Sequence, residues 1–241
     1  RYLCNKINPR IMIKAIFFDI DGTLVSFCTH TIPESTISAL NALRAKGIKI
    51  FIATGRPKHS MEHAIGHLNF DGYITLNGAY CFTADHQDIH KDCIPQSDIE
   101  NLIAYHTLHP DIPFVFVDDN GWFINTVNED VKKVSQLVEE DIPTIRPMEE
   151  ARHKDILQII GYFTQDKDKD IFPQILTHCT PMRWHPLFAD IIASGNSKRH
   201  GIDVITKHYG IRLEETMAFG DGGNDIPMLQ HVGIGIAMGN S

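Results

Sequence analysis

Two aspartates two residues apart, Asp19 and Asp21, close an apolar run that ends at Phe18, and Gly22 follows them. Residues two apart on a strand point the same way, and a glycine lets the chain turn where the second carboxylate sits. One carboxylate can then be a nucleophile while the other swings over the reacting group as acid and base. A second group, Phe219-Gly220-Asp221-Gly222-Gly223-Asn224-Asp225, repeats the grammar of strand, glycine-rich turn and helix start. Oxygen donors from two strand tips suit a hard cation such as Mg2+, which keeps several waters and takes one or two carboxylates plus a phosphate oxygen. Thr54, Gly55 and Arg56 follow a further strand, and Lys198 opens a late helix. A hydroxyl, backbone N–H groups at a helix start and an ammonium make a cradle for phosphate.

The hydrophobic patterning supplies the elements that must hold these residues. Ile13 to Leu24 reads as a buried strand ending in a turn; it lacks strict alternation, as a central strand of a parallel sheet does. Pro33 to Lys46 carries Ile37, Leu40 and Leu43 at helical spacing, with Gly47 as its stop. Ile48 to Ala53 is a strand, Pro57 to Leu68 a helix and Gly72 to Leu76 a strand, so βαβαβ fills the first third. Right-handed crossovers make this a parallel, doubly wound sheet, and ligands bind at the carboxyl ends of such strands. From about Tyr80 the pattern changes: Phe114 to Val117 and Trp122 to Thr126 form an antiparallel hairpin with an Asn-Gly turn. Helical stretches at Ser97 to His109, Asn128 to Leu137 and Lys167 to Thr177 alternate with strands such as Ile156 to Phe163. After about Phe188 the first pattern resumes with the helix Lys198 to Tyr209, the strand Thr216 to Phe219, the helix Asp225 to His231 and the strand Gly233 to Ala237. The expected fold is α/β: a doubly wound core of residues 1–80 and 188–241, interrupted by an α+β cap of residues 81–187. The chain stops at Ser241 without the helix and strand that usually follow such a turn, so a longer natural protein is expected.

Composition narrows the function classes. The 241 residues carry a net charge of −8, which supplies no counterion release for nucleic acid and argues against an anionic membrane surface. A small phosphorylated metabolite needs only a local positive site and remains the expected partner, the chain working as a monomer or weak homodimer. No apolar run approaches the length that spans a bilayer. The basic opening, Arg1 to Arg10, precedes a buried strand and not an apolar signal core, so secretion is not encoded and a disordered leader or a misassigned start is expected. Five cysteines, Cys4, Cys28, Cys81, Cys93 and Cys179, make no CxxC pair, which reads as inert buried thiols in a reducing cytoplasm.

In this order, DxDGT, a strand ending in Thr-Gly-Arg, a late lysine and GDGGND resemble the haloacid dehalogenase superfamily of phosphotransferases, over nearly the whole chain. With Gly72-Tyr-Ile-Thr-Leu-Asn-Gly-Ala79 and the interrupted core, the sequence is similar to the Cof-like sugar phosphatases, and within them to hexose phosphate phosphatases. The resemblance implies that Asp19 attacks phosphorus and becomes an aspartyl phosphate, while Asp21 protonates the leaving alcohol and then activates water. It further implies Mg2+ held by the side chains of Asp19 and Asp221 and by the carbonyl of Asp21. Thr54, Lys198 and Asn224 would hold the phosphoryl, with Gly55, Asn77 and Gly78 beside the substrate. Asp225 would act behind them, orienting Lys198 or a metal-bound water.

The same residues admit other readings. A phosphomutase would return the phosphoryl to a second hydroxyl. A phosphoacceptor signalling module also groups aspartates and a lysine at strand ends, but has no inserted cap and places its acceptor later in the sheet. Gly233 to Gly239 has the wrong spacing for a dinucleotide fingerprint. His59, His63 and His67 recur on one helix face and read as an exposed polar stripe. Asp166, Asp168 and Asp170 imitate a calcium loop, but Ile171 stands where its glycine is required. Arg183, Trp184, His185 and Asp190 fit ligand contact and structural packing equally well.

Overall fold

In this computed structural model, residues 2–3, 12–138, 140–183 and 185–241 are described. In chain order β1 (Tyr2–Leu3), β2 (Ala15–Phe18), α1 (Glu34–Ala45), β3 (Lys49–Ala53), α2 (Lys58–Ile65), β4 (Gly72–Thr75), β5 (Tyr80–Thr83) and β6 (Asp88–Lys91) come first. Then follow α3 (Gln96–Leu108), β7 (Phe114–Asp118), β8 (Gly121–Ile124), α4 (Glu129–Val138), β9 (Gln158–Gly161), α5 (Asp168–Ile171), β10 (Cys179–Met182) and β11 (Ala189–Ala193). The chain ends with α6 (Lys198–Tyr209), β12 (Thr216–Gly220), α7 (Ile226–His231) and β13 (Ile234–Ala237). Residues 1–91 and 196–241 make one compact unit and residues 92–195 another.

The first unit is built on an eight-stranded sheet in the order β1-β13-β12-β2-β3-β4-β5-β6. From β13 to β4 neighbouring strands are parallel. Parallel strands must be covered on both faces, which is why β2 is apolar and buried throughout. On one face Ile202 and Ile205 of α6 and Met228 and Leu229 of α7 share a core with Phe17, Phe51 and Ile74. Phe17 and Phe51 stack with ring centres 5.0 Å apart. The second unit carries an antiparallel sheet, β10-β11-β9-β7-β8, with Phe114, Phe116, Ile159 and Ile191 packed against Ile99 and Leu102 of α3.

Both junctions differ from the sequence reading. β5 and β6, expected in the insert, extend the first unit's sheet, because β5 folds straight back on β4 with Tyr80 opposite Thr75. β11, expected in the core, pairs with β9 and β10 in the second unit. The hairpin is confirmed, but Asp118 pairs with Gly121, so its two-residue turn is Asp119-Asn120 and not Asn-Gly. The helix expected over 167–177 is regular only at α5; Pro173 has no N–H to continue it. Cys28 is exposed, against the expectation of buried thiols, while Cys81 and Cys179 are buried. Cys4 and most of the opening segment lie outside the described residues. Among the described residues no helix is long and apolar enough to cross a membrane.

Gly78 ties the sheet to α6. Its φ is +100°, and a Cβ there would lie 2.1 Å from the Ser197 carbonyl oxygen.

 Any side chain at 78 would therefore be strained and would collide with the residue that caps α6. Ser197 Oγ accepts the His200 N–H at 3.1 Å, so Lys198 starts the helix at a fixed point. Gly78→Ala is expected to cost about 2–4 kcal/mol, read as a lower melting temperature; an unchanged melting temperature would contradict this packing.

Candidate active site

β2 and β12 are parallel neighbours, with Phe18 beside Phe219. Asp19 and Asp221 are the first residues past their ends, so two carboxylates rise from adjacent strand tips, which lie about 4.8 Å apart in any sheet. The Asp19 N–H donates to the Phe219 carbonyl at 3.1 Å, extending the ladder to the first aspartate. Gly22 lets the next turn close over this edge: a Cβ there would lie 2.2 Å from Asp221 Oδ2. Thr23 Oγ1 donates to Asp221 Oδ1 at 2.8 Å, and Asn240 Nδ2 donates to Asp221 Oδ2 at 3.1 Å.

Lys198 joins the strand tips. It is 1% exposed, and its Nζ donates to Asp19 Oδ1 and to Asp225 Oδ1, each at 2.6 Å. Asp225 Oδ2 accepts the backbone N–H groups of Asp221 and Gly222, both at 2.9 Å. Asp225 thus closes the glycine-rich turn and anchors the lysine at once. Burial pushes the Asp19 carboxyl up to about 7, against the pull of the Lys198 ammonium. Burial alone would favour a neutral Lys198 amine, but the two carboxylates keep it charged and raise its pKa. Burial also raises Asp221, with the Thr23 hydrogen bond opposing it.

A second cluster holds amides. Asn77 is buried with φ +52°, and its Oδ1 accepts from Asn224 Nδ2 at 3.0 Å. A Cβ on Gly55 would lie 3.0 Å from Asn77 Nδ2, so the turns after β3 and β4 meet there. The Asn77 N–H donates to the Thr54 carbonyl at 3.0 Å, and buried Thr54 accepts the Arg56 N–H on Oγ1 at 3.1 Å. Asp21 stands apart, its carboxylate paired with Arg56.

The sequence pattern of the haloacid dehalogenase-like hydrolases matches residues 16–241. An HMP-PP phosphatase of Escherichia fergusonii is 31% identical over 245 residues, covering 95% of this chain and 85% of that protein. A solved structure of BT1666 from Bacteroides thetaiotaomicron, from a study of phosphatases of this superfamily, is 38% identical with a TM-score of 0.88, covering 98% of this chain and 88% of that one. BT4131, a sugar phosphatase of subclass IIB, is 46% identical with a TM-score of 0.82, covering 95% and 88%. The chain belongs to the haloacid dehalogenase-like hydrolases. As a phosphatase of that superfamily it hydrolyses phosphate monoesters.

Within this haloacid dehalogenase-like hydrolase, Asp19, Asp221 and Asp225 each offer a carboxylate oxygen, all within 4.8 Å of one another. The donors are hard oxygens, and three carboxylates face one ammonium, so the excess negative charge fits a divalent cation such as Mg2+. Three donors already occupy Asp225, so Asp19 and Asp221 are the side chains with more capacity that could hold one. The Asp21 carboxylate is outside this set; sequence reasoning put Asp21 there only through its carbonyl. Sequence reasoning also gave Arg56 no role, although it stands in the Thr-Gly-Arg run, and missed Asn240, which has no motif.

The remaining candidates are accounted for locally. In the second unit Arg183 pairs with Asp168 at 2.5 Å and donates to the Phe163 carbonyl at 2.8 Å. His185 stacks on Phe188, and Asp190 accepts from Gln158 Nε2 at 3.3 Å. Trp184 lies outside the described residues. His59, His63 and His67 are exposed, and His67 lies past the end of α2.

Asp19 holds its proton more tightly in the folded chain than in the unfolded one, so ionising it costs stability above about pH 7. With EDTA present, the parent is therefore expected to lose stability as pH rises from about 4 to 7, and Asp19→Asn to lack that part of the dependence, read as melting temperatures across the range. The same pH dependence in parent and variant would overturn this electrostatic assignment.

Proposed function

We propose that this hydrolase is a Mg2+-dependent phosphatase of small phosphorylated metabolites, sugar phosphates foremost, acting in the cytoplasm through an aspartyl phosphate on Asp19. The observation that carries the reading is the buried Asp19 carboxylate, held by Lys198 at a central strand tip beside Asp221. Its 46% identity to a sugar phosphatase supports the substrate class.

In the first half-reaction an Asp19 oxygen bonds phosphorus as the ester P–O bond breaks, and the proton on Asp21 passes to the departing alkoxide. In the second, Asp21 takes a proton from water as its oxygen bonds phosphorus and the Asp19–phosphorus bond breaks, releasing phosphate. Lys198 keeps the Asp19 oxygen directed and matches charge on the phosphoryl oxygens, with Thr54, Gly55, Asn77, Gly78 and Asn224 supplying donors and space around them. Asp19, Asp221 and the Asp21 carbonyl would hold the divalent cation, which would supply further positive charge against the phosphoryl group.

Phosphate release from hexose, pentose, triose and nucleoside phosphates, with Mg2+ and then with EDTA, tests the reading. Metal-dependent multiple turnover favouring sugar phosphates is expected, and Asp21→Asn should slow it by about 10²–10⁴-fold. Folded protein that releases no phosphate from any of them would contradict it. Transfer within a bisphosphate would instead indicate a mutase, and a single stoichiometric phosphorylation a signalling acceptor.

A further inference from the structure

Arg56 makes the most closely defined contacts around Asp21. Its Nε donates to Asp21 Oδ2 at 2.7 Å and its Nη2 to Oδ1 at 2.8 Å, so one planar fork grips both oxygens. Nη1 donates to Ser60 Oγ at 2.7 Å, and Ser60 is buried in α2. The main chain is fixed as well: the Arg56 N–H donates to Thr54 Oγ1, and the Arg56 carbonyl accepts the Leu76 N–H at 3.1 Å. The guanidinium therefore has a rigid base, a buried anchor and a two-point hold on a carboxylate that Gly22 leaves on a turn.

That carboxylate lies two residues from Asp19, beside a cluster suited to a divalent cation. A divalent cation bound there would compete with Arg56 for that carboxylate, and a misplacement of about 1 Å in a reacting group can cost 10²-fold in rate. We infer that Arg56 is a positioning residue: it holds the Asp21 carboxyl away from the Asp19, Asp221 and Asp225 cluster and directs it to the leaving-group oxygen. This rests on the phosphatase reading above. Arg56 acts through Asp21, so its loss should be felt where a proton must reach the leaving group and spared where none is needed.

The test compares the parent with Arg56→Gln and Arg56→Lys, all with Mg2+, on glucose 6-phosphate and on 4-nitrophenyl phosphate, whose anion departs without a proton. kcat/KM reports the steps up to departure of the leaving group when that departure is irreversible. For Arg56→Gln, kcat/KM on the sugar phosphate is expected to fall about 10–100-fold and on the aryl phosphate less than about 3-fold, with Arg56→Lys in between because one ammonium cannot reproduce the fork. Equal losses on both esters, or no loss on either, would overturn the inference. Should Arg56→Gln fail to fold, Ser60→Ala, which removes only the anchor, is expected to give the same selective loss on a smaller scale, and an unselective loss there would overturn it equally. A parent inactive on both esters would contradict the phosphatase reading itself.

Discussion

Burying Lys198 between Asp19 and Asp225 is the constraint on which the rest of the first unit depends. An ammonium with 1% exposure is tolerable only when its charge is met at close range, and both partners stand at 2.6 Å. Lys198 also sits at the first position of α6, where the helix dipole disfavours a cation. The two carboxylates must therefore offset both burial and dipole. They fix where α6 begins relative to β2 and where the turn after β12 returns to the sheet.

The close approaches around this triad follow from that need. Asp225 must reach back to the Asp221 and Gly222 N–H groups, and a Cβ on Gly220 would lie 2.5 Å from the Asp225 carboxyl carbon. Gly22 and Gly78 make corresponding room beside Asp221 and Ser197. Charge and space are thus matched at the carboxyl ends of parallel strands, where helices on both faces leave only the turns open to a ligand. On the proposed reading, a phosphoryl group there would meet a fixed lysine and a nucleophile whose burial leaves it little solvation to lose.

Much of this was legible in the sequence because the chemistry sits in short runs tied to strand ends. Asp19, Thr54, Lys198 and Asp221 could each be assigned a strand tip or helix start from apolar patterning alone, and α6 agrees with its expected range at both ends. The unit junctions were not legible. Whether Tyr80–Thr83 or Ala189–Ala193 joins one sheet or the other depends on hydrogen-bond partners, which local periodicity does not encode. The grip of Arg56 on Asp21 was hidden for a related reason: its partners are 35 residues apart, and only the sheet brings them together. The helix after Asp168 was overread because its apolar spacing continues past Pro173, where the backbone cannot.

Transfer of the phosphoryl group to Asp19 is the step on which the proposed function rests. The most direct measurement is to quench the protein in acid during turnover of a sugar phosphate with Mg2+, reduce it with borohydride and map the peptides by mass. Reduction of an aspartyl phosphate leaves homoserine, which is expected at position 19 and nowhere else. Continued turnover with an unmodified residue 19, or homoserine at Asp21 or Asp221 instead, would contradict it.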